Sequence, residues 1–176
     1  MLKLIRFVFL FIILISSVVL GQQGSFKFRE LPKDSLLAIA LEIIKTDRTC
    51  TFITVDDDGK PQARILAYFP PEDDWTIWLG TSTNSRKVSQ VKNNPNVMIF
   101  FYDPKGRSYV SVAGKARLAS DSELKKKYWK EGWTKYYKNP EIDYILIEVT
   151  PERLEICSFK HKLFWDATGK PAFVEF

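Results

Sequence analysis

The spacing of apolar residues changes along the chain and predicts a helix followed by a series of strands. Apolar residues recur at a helical interval after Asp34 and Ser35, which are candidate N-caps, so the sequence predicts an amphipathic helix there. Alternating or β-branched runs follow, and they are typical of strands. The predicted strands cover residues 50–55, 62–69, 75–79, 97–102, 108–118 and 144–150, with an irregular continuation at 153–157.

Two more helices are predicted between these strands. One begins near Asn84 or Ser85, and the other begins at Ser120, which forms a capping box with Glu123. The second helix is expected to carry the aromatic residues Tyr128, Trp129 and Trp133. Mostly antiparallel strands with a few peripheral helices predict a small closed Greek-key barrel. A chain of 176 residues, 45% of them hydrophobic, is sufficient for one such domain.

The helix near Ser85 starts with two adjacent cations, Arg86 and Lys87. A helix N-terminus already carries partial positive charge and unpaired N–H groups, so cations there are unfavourable unless an anion binds. Helical N–H groups, a hydroxyl, a guanidinium and an ammonium together suit a phosphate. This segment alone leaves a second interpretation open, in which the helix start is solvated and its cations face nearby carboxylates.

The N-terminus has the features of a secretory signal peptide over residues 1–21. Lys3 and Arg6 precede an unbroken apolar run at residues 7–15, and small residues follow it. We therefore expect an exported protein, periplasmic or secreted. The alternative is a membrane anchor through residues 4–20, although this stretch falls short of the roughly 20 residues that span a bilayer. The expected divisions after the leader are a connector at residues 22–32, the folded domain at 33–166 and a C-terminal tail at 167–176.

Charge and reactive side chains narrow the classes of function. The formal net charge is +5 and the pI is about 9.1, but no Lys/Arg-rich run is interleaved with aromatics, so nucleic-acid binding is not expected. His161 is the only histidine, which gives little support to a metal site or a nucleophilic catalytic set. Cys50 and Cys157 either pair or pack as buried thiols. Asp56-Asp57-Asp58-Gly59 predicts a hairpin turn, because the glutamate that a calcium loop needs is missing.

Four motifs then occur in a particular order along the chain. They are Arg64-Ile65-Leu66, the run from Thr81 to Lys87 with its Ser-Arg-Lys, Asn94-Pro95-Asn96-Val97, and Tyr109-Val110-Ser111-Val112-Ala113-Gly114-Lys115-Ala116. Together they resemble the FMN-binding split-barrel family, the pyridoxamine 5′-phosphate oxidase-like group, and in particular its general-stress-protein branch. The resemblance covers residues 36–165. It implies a mainly β protein with peripheral helices, a six-stranded antiparallel Greek-key split barrel, and a homodimer with FMN at the subunit interface.

The resemblance also implies roles for particular residues. Arg64, Arg86 and Lys87 match the residues that hold the FMN phosphate, with Ser85 beside them. Further contacts with the cofactor are expected from Ile65, Leu66, Ala67, Tyr68, Phe69, Gly80, Thr81, Tyr109 and Trp165. Tyr109 departs from the oxidase, which has a glutamine at that position. The oxidase's C-terminal arginine-histidine pair and Arg-Leu-x-Pro are also absent, so oxidation of pyridoxamine phosphate itself is not expected.

The tryptophans and the histidine leave alternatives. Trp129 and Trp133 either cover the flavin or, as we favour, pack a helix against the barrel, and Trp165 is equally suited to either role. No catalytic side chain is expected, since a flavin supplies its own redox chemistry. The sequence therefore predicts an exported, FMN-dependent oxidoreductase of unknown substrate. The alternative is a non-catalytic binding module for flavin, haem or another small ligand, with His161 as the axial ligand of haem.

Overall fold

The computed structural model of the chain describes residues 30–176. The helices are α1 (Lys33–Ile44), α2 (Arg86–Asn93), α3 (Ser122–Lys127) and α4 (Pro140–Asp143). The strands are β1 (Thr49–Val55), β2 (Pro61–Phe69), β3 (Ile77–Ser82), β4 (Asn96–Asp103), β5 (Ser108–Ala119), β6 (Tyr144–Ser158) and β7 (Ala172–Glu175). None of the helices in this described part has the length and apolar character needed to cross a membrane. The predicted leader and most of the connector lie outside the described residues.

Six antiparallel strands close into a barrel. Neighbouring strands pair in the order β3-β2-β1-β4-β5-β6, and β3 also pairs with β6, which closes the sheet. β7 pairs with the last part of β6 and adds a seventh strand outside the ring. The predicted six-stranded antiparallel barrel is therefore confirmed. Part of the segment expected to be a C-terminal tail forms β7.

β6 is one continuous strand where the sequence predicts two. The buried Pro151 joins residues 144–150 to residues 153–157. Opposite this point, the pairing register with β5 shifts between Ala113 and Gly114. Proline has no N–H to donate to the neighbouring strand, and an irregularity in register accommodates it. The first part of β6 then closes the barrel against β3, while its last part is free to pair with β7.

The barrel interior is apolar, and α1 packs against it. Strand residues alternate between buried and more exposed positions, as in β4 from Asn96 to Asp103, so one face of each strand points into the core. Helix α1 buries Leu36, Ala40 and Ile43 against the same core. This helix begins directly after Pro32, so Asp34 lies in its first turn rather than at the N-cap that was expected. An acidic side chain in the first turn still interacts favourably with the helix dipole.

A second apolar cluster lies on the outside of β3 and β6. We call it the outer aromatic cluster, and its aromatic members are Phe69, Trp78, Tyr128, Trp129, Trp133, Tyr137 and Tyr144. The prediction of one helix carrying Tyr128, Trp129 and Trp133 is wrong, because α3 ends at Lys127. Its N-cap is Asp121 and not Ser120, since the Asp121 carboxylate accepts hydrogen bonds from the N–H groups of Glu123 and Leu124.

The chain after α3 turns back to place these aromatics. Gly132 has a φ of 82°, a left-handed conformation that favours glycine, and it precedes a short helical turn at Trp133–Lys135. Strand β3 begins at Ile77 rather than at residue 75 for a related reason. Trp75 has a φ of 67°, which lies outside the extended region that a strand requires.

Candidate functional site

Three cations and two hydroxyls meet where β2, the end of β3 and the start of α2 come together. We call Arg64, Thr81, Ser85, Arg86 and Lys87 the cationic cradle. Ser85 stands at the N-cap of α2 with an extended backbone, as the sequence predicts, and its side chain makes no capping hydrogen bond. Strand β3 supplies Thr81 and strand β2 supplies Arg64. The cradle therefore draws on three separate elements.

Lys87 and the two hydroxyls are linked. The Lys87 ammonium Nζ donates a hydrogen bond to the Thr81 hydroxyl at 2.9 Å, and Thr81 Oγ1 lies 3.3 Å from Ser85 Oγ. Thr81 is buried, whereas Lys87 and Ser85 are half-buried. An ammonium carries three donors, and only the one to Thr81 has a hydrogen-bond partner among the described residues. Lys87 thus keeps donors for a ligand.

Arg64 is held by two neutral side chains that the sequence analysis did not identify. Its guanidinium donates from Nη1 to the Thr54 hydroxyl at 2.5 Å and from Nη2 to the Gln90 amide oxygen at 2.9 Å. The Thr54 hydroxyl in turn donates to the same Gln90 oxygen at 2.6 Å. A signal for Thr54 was present, because it continues the core-facing alternation of Cys50 and Phe52 with a polar residue.

The positive charge of the cradle is not compensated. Among residues 30–176, none of Arg64, Arg86 and Lys87 makes an ion pair with a carboxylate. Burial and the neighbouring charges of Arg64 and Arg86 lower the pKa of Lys87. Burial, followed by the charge of Arg86, likewise lowers the pKa of Arg64. The lowered pKa values mean that folding disfavours the charged forms of Lys87 and Arg64. A bound anion would favour the charged forms and so act in the opposite direction.

The interpretation in which these cations face nearby carboxylates is therefore not supported. Arg86 is exposed, and Lys87 and Arg64 contact only neutral oxygens in the described chain. A phosphate fits this donor set, since guanidinium and ammonium groups and a helix N-terminus are its usual ligands in proteins. The residues at the cradle are thus compatible with the phosphate of FMN.

Other residues that the resemblance implied lie outside the cradle. Gly80 faces the outer aromatic cluster, where a Cβ would come within 2.5 Å of the Tyr144 hydroxyl and 2.6 Å of the Trp133 ring. Phe69 packs edge-on against Tyr128 and Trp133 in the same cluster. Trp129 also packs there, as we favoured, against Tyr144. These side chains have structural partners of their own.

The inward side chains of β2 have structural contacts as well. The Tyr68 hydroxyl makes a bifurcated hydrogen bond to the backbone oxygens of Ile44, the last residue of α1, and of Asp47 just after it. Leu66 is half-buried and packs against the core. Ala67, between them in sequence, is also half-buried.

Trp165 lies beside Tyr109, which is on the outer face of the sheet together with Ile65. We call this the β2–β1–β4–β5 face, and its registers place Ile65 beside Thr51, then Phe100, then Ser111. Tyr109 stacks on Phe100 with ring centroids 5.3 Å apart. Burial raises the pKa of Tyr109, while a hydrogen bond with Trp165 acts in the opposite direction. Tyr109 and Trp165 thus lie together, as the resemblance requires if both border one ligand.

His161 and the cysteines are not part of the cradle. His161 Nε2 lies 3.3 Å from the Glu42 carboxylate, and the His161 backbone N–H donates to Ser158, which pairs with Ser108 at the start of β5. This position gives the haem alternative no observation in its favour. Cys50 and Cys157 are both buried free thiols, which answers the question of pairing that the sequence left open. Burial raises the pKa of Cys50 to about 12, so its thiol stays protonated.

Comparison with known proteins agrees with this architecture. Residues 38–158 match the family described as pyridoxamine 5′-phosphate oxidase. General stress protein 26 of Bacillus subtilis (strain 168) is 33% identical over 128 residues, which cover 69% of this chain and 88% of that protein. The crystal structure of general stress protein 26 from Bacillus anthracis str. Sterne has a TM-score of 0.64 and 27% identity, with 80% of this chain and 98% of that chain covered.

A third protein with this fold is an FMN binding protein. The crystal structure of a pyridoxamine 5′-phosphate oxidase-related, FMN binding protein from Nostoc punctiforme shares the fold with a TM-score of 0.56 at 17% identity, covering 85% of this chain and 99% of that chain. The family match extends over most of the barrel, from α1 to the end of β6. This chain therefore belongs to the pyridoxamine 5′-phosphate oxidase family and has its split-barrel fold.

Proposed function

We propose that this protein binds FMN and acts as a flavin-dependent oxidoreductase. The observation that carries the proposal is the cationic cradle, in which three cations share a partly buried site and no carboxylate of the described chain pairs with them. Membership of a flavin-binding fold family and the description of the Nostoc protein support FMN as the phosphate ligand.

In this proposal, different residues contact different parts of the cofactor. Arg64, Arg86 and Lys87 hold the phosphate, and the hydroxyls of Thr81 and Ser85 complete its hydrogen bonds. The backbone of residues 65–69 lines the flavin ring, and Tyr109 and Trp165 border it. Bound FMN supplies the electron and hydride transfer itself, so the protein's contribution is binding, orientation and exclusion of water. No nucleophile or general base is required of this chain.

We further propose that two copies of the chain form a homodimer through the β2–β1–β4–β5 face. This face exposes large apolar side chains, with Ile65 at 66%, Met98 at 38% and Tyr102 at 54% exposure. Ile53 and Phe100 lie between them in the strand register. Contiguous apolar patches of this kind on a sheet face mark interaction surfaces. A second copy is the occupant that the resemblance implies, with the flavin at the interface.

FMN titration of the protein without its leader tests the cofactor proposal. We expect flavin fluorescence to be quenched on binding and yellow absorbance to remain with the protein through gel filtration. Riboflavin, which lacks the phosphate, is the matched control ligand and should bind more weakly. If FMN is neither quenched nor retained, the proposal fails.

The dimer is tested by charging its apolar face. Met98→Arg places a cation in the proposed interface, so sedimentation should change from a dimer to a monomer. Ile142→Arg is the matched control, because Ile142 is 66% exposed but lies on α4, away from this face. A wild-type monomer, or a Met98→Arg variant that remains dimeric, would contradict the proposed interface.

Export remains a proposal that rests on residues 1–21. We propose that the leader directs the unfolded chain across a membrane and that flavin is captured afterwards. Cell fractionation of the full chain, with a deletion of residues 2–21 as the control, tests it. Mature protein in the exported fraction supports export, whereas full-length protein in the membrane fraction supports the anchor instead.

A further inference from the structure

Gln90 is a buried polar residue on the helix that carries two of the cradle cations. It is only 7% exposed, and the Thr54 side chain beside it is fully buried. Gln90 lies four residues after Arg86 and three after Lys87, so one turn of α2 places all three toward the same region. Its amide oxygen accepts a hydrogen bond from Thr54 on barrel strand β1. It faces Arg64, which belongs to a different element.

The hydrogen bonds fix which end of the Gln90 amide faces Arg64. Two donors, the Arg64 guanidinium and the Thr54 hydroxyl, converge on one Gln90 atom at 2.9 and 2.6 Å. Only the amide oxygen accepts hydrogen bonds, so the oxygen must point toward them. The Thr54 hydroxyl completes a three-membered network, since it accepts from Arg64 while it donates to Gln90. Arg64 is thereby held at two of its nitrogens.

The charge of this network is as informative as its geometry. A carboxylate at position 90 would form a stronger, charge-assisted pair with Arg64 and would be the usual partner for a half-buried guanidinium. Such a pair would also cancel one of the three cradle charges. Gln90 instead supplies nearly the same shape and an acceptor oxygen without a negative charge. The guanidinium is oriented, and its full charge is kept for a ligand.

We propose that Gln90, supported by Thr54, is a positioning residue that holds Arg64 in place for a phosphate while leaving its charge uncompensated. The inference rests on the proposed function, in which the cradle binds the FMN phosphate. It goes further by assigning Gln90 and Thr54 a role in the preference for phosphorylated flavin. The consequence is that stability and phosphate affinity should respond in opposite directions to a negative charge at position 90.

The test compares Gln90→Glu with wild type in two measurements. In the absence of flavin, Gln90→Glu should raise the melting temperature, because the new carboxylate pairs with Arg64. The ratio of riboflavin to FMN dissociation constants should fall by about 10- to 150-fold, the range expected for loss of one charge-assisted contact. Riboflavin affinity itself should stay unchanged, since the cradle contacts only the phosphate.

Two further variants serve as controls. Asn93→Glu adds the same charge at an exposed position in the last turn of α2, about two turns from Arg86, and should change the ratio much less. Thr54→Val removes the bridging hydroxyl without adding charge, so it should lower both the melting temperature and the ratio. Thr54→Val also tests the inference if Gln90→Glu does not fold. If the ratio of riboflavin to FMN dissociation constants in Thr54→Val stays at the wild-type value, the inference is wrong.

The outcomes separate this inference from the proposed function. If wild type binds FMN more tightly than riboflavin but Gln90→Glu keeps the same ratio, Gln90 has only a structural role and the inference is wrong. If wild type shows no preference for FMN over riboflavin, the cradle does not bind phosphate and both fail. A fall in the ratio with a raised melting temperature supports the inference.

Discussion

The cationic cradle and the outer aromatic cluster lie on opposite sides of β3 and differ in how completely their groups are paired. In the aromatic cluster, the Tyr144 hydroxyl donates to the Tyr128 backbone oxygen at 2.5 Å. The Glu72 carboxylate there accepts from Trp78, Lys127 and Tyr128. In the cradle, Arg64 and Lys87 have only neutral oxygens as partners in the described chain, and Arg86 is exposed.

This difference separates a structural region from the proposed binding region. Buried polar groups are normally paired within the protein, because an unpaired one costs free energy. Like charges that accumulate without partners are typical of functional sites, and a ligand is the partner that we propose here. Strand β3 contributes residues to both regions. Trp78 and Gly80 face the outer aromatic cluster, whereas Thr81 faces Lys87. Substitutions on the two sides of β3 should therefore have different consequences.

The largest expected effect is on stability, from Tyr144→Ala. Tyr144 is fully buried, and its ring contacts Trp129, Trp133 and Tyr137 at centroid distances of 5.3, 5.6 and 5.0 Å. Removing it should lower the free energy of unfolding by about 3–5 kcal/mol, measured by denaturant titration. Tyr136→Ala, at a position with 67% exposure, should change it by less than about 0.5 kcal/mol. Equal effects would contradict the assignment of Tyr144 to a packed core.

Lys87→Met should weaken FMN binding without lowering the stability of the protein. Loss of one charge-assisted contact should weaken FMN binding by about 1.5–3 kcal/mol, or roughly 10- to 150-fold. Without flavin, stability should stay the same or rise, because the pKa of Lys87 is lowered by burial and by Arg64 and Arg86, so its charge is disfavoured in the folded state. Calorimetry and flavin titration measure the two effects.

Lys92→Met on the same helix is the matched control. Lys92 is exposed in the last turn of α2, where a cation is favourable to the helix dipole. Its removal should slightly lower stability and leave FMN affinity unchanged. If Lys87→Met binds FMN as wild type does and melts lower, the cradle is not a phosphate site.

Gly80→Ala distinguishes the two sides of β3 directly. A Cβ there would meet the Tyr144 hydroxyl and the Trp133 ring, so overpacking should cost about 1–3 kcal/mol of stability. FMN affinity of the folded protein should not change. In a Trp133→Ala background the same substitution should cost less, because space has been opened. Loss of FMN affinity without loss of stability would instead place Gly80 beside the cofactor, as the resemblance implied.

The smallest expected effect concerns acid stability of the aromatic side. Hydrogen bonds from Lys127, Tyr128 and Trp78 lower the pKa of Glu72 to about 2. A lowered carboxyl pKa stabilises the fold above the ordinary glutamate pKa of about 4.3, and this contribution is lost as pH falls toward about 2. The difference in melting temperature between wild type and Glu72→Gln should therefore shrink over that pH range. A constant difference would show that the Glu72 charge does not contribute.

The strand pattern was predictable because alternation is a local property. Strands β1, β2, β4 and β5 lie within one or two residues of their predicted bounds, and α2 begins after Ser85 as expected. The predicted bounds are wrong where the local backbone conformation does not follow the pattern of apolar residues. Trp75 has a left-handed φ, and α3 ends at Lys127, so that Tyr128 and Trp129 lie between this helix and the turn at Gly132. Neither feature changes the apolar content of its segment, so hydrophobicity alone did not reveal it.

The cradle was only partly predictable. Arg86 and Lys87 are adjacent in sequence at a helix N-terminus, so the anion-binding role that we propose for them follows from local chemistry. Arg64 was added through resemblance, and its charge is one of the causes that lower the pKa of Lys87. Gln90 and Thr54 were missed. Each is an ordinary polar residue in its own segment, and only the approach of α2 to β1 and β2 makes them partners of Arg64.

The sequence by itself determined the closed antiparallel barrel, the helix start with two cations and the family to which the chain belongs. These depend on residue type, alternation and spacing, which are local properties of a chain. The tertiary structure alone decided that the cations lack carboxylate partners, that Gly80 lies under Tyr144 and Trp133, and that Gln90 holds Arg64. Such relations depend on distances between segments far apart in sequence, and only the closure of the barrel sets those distances.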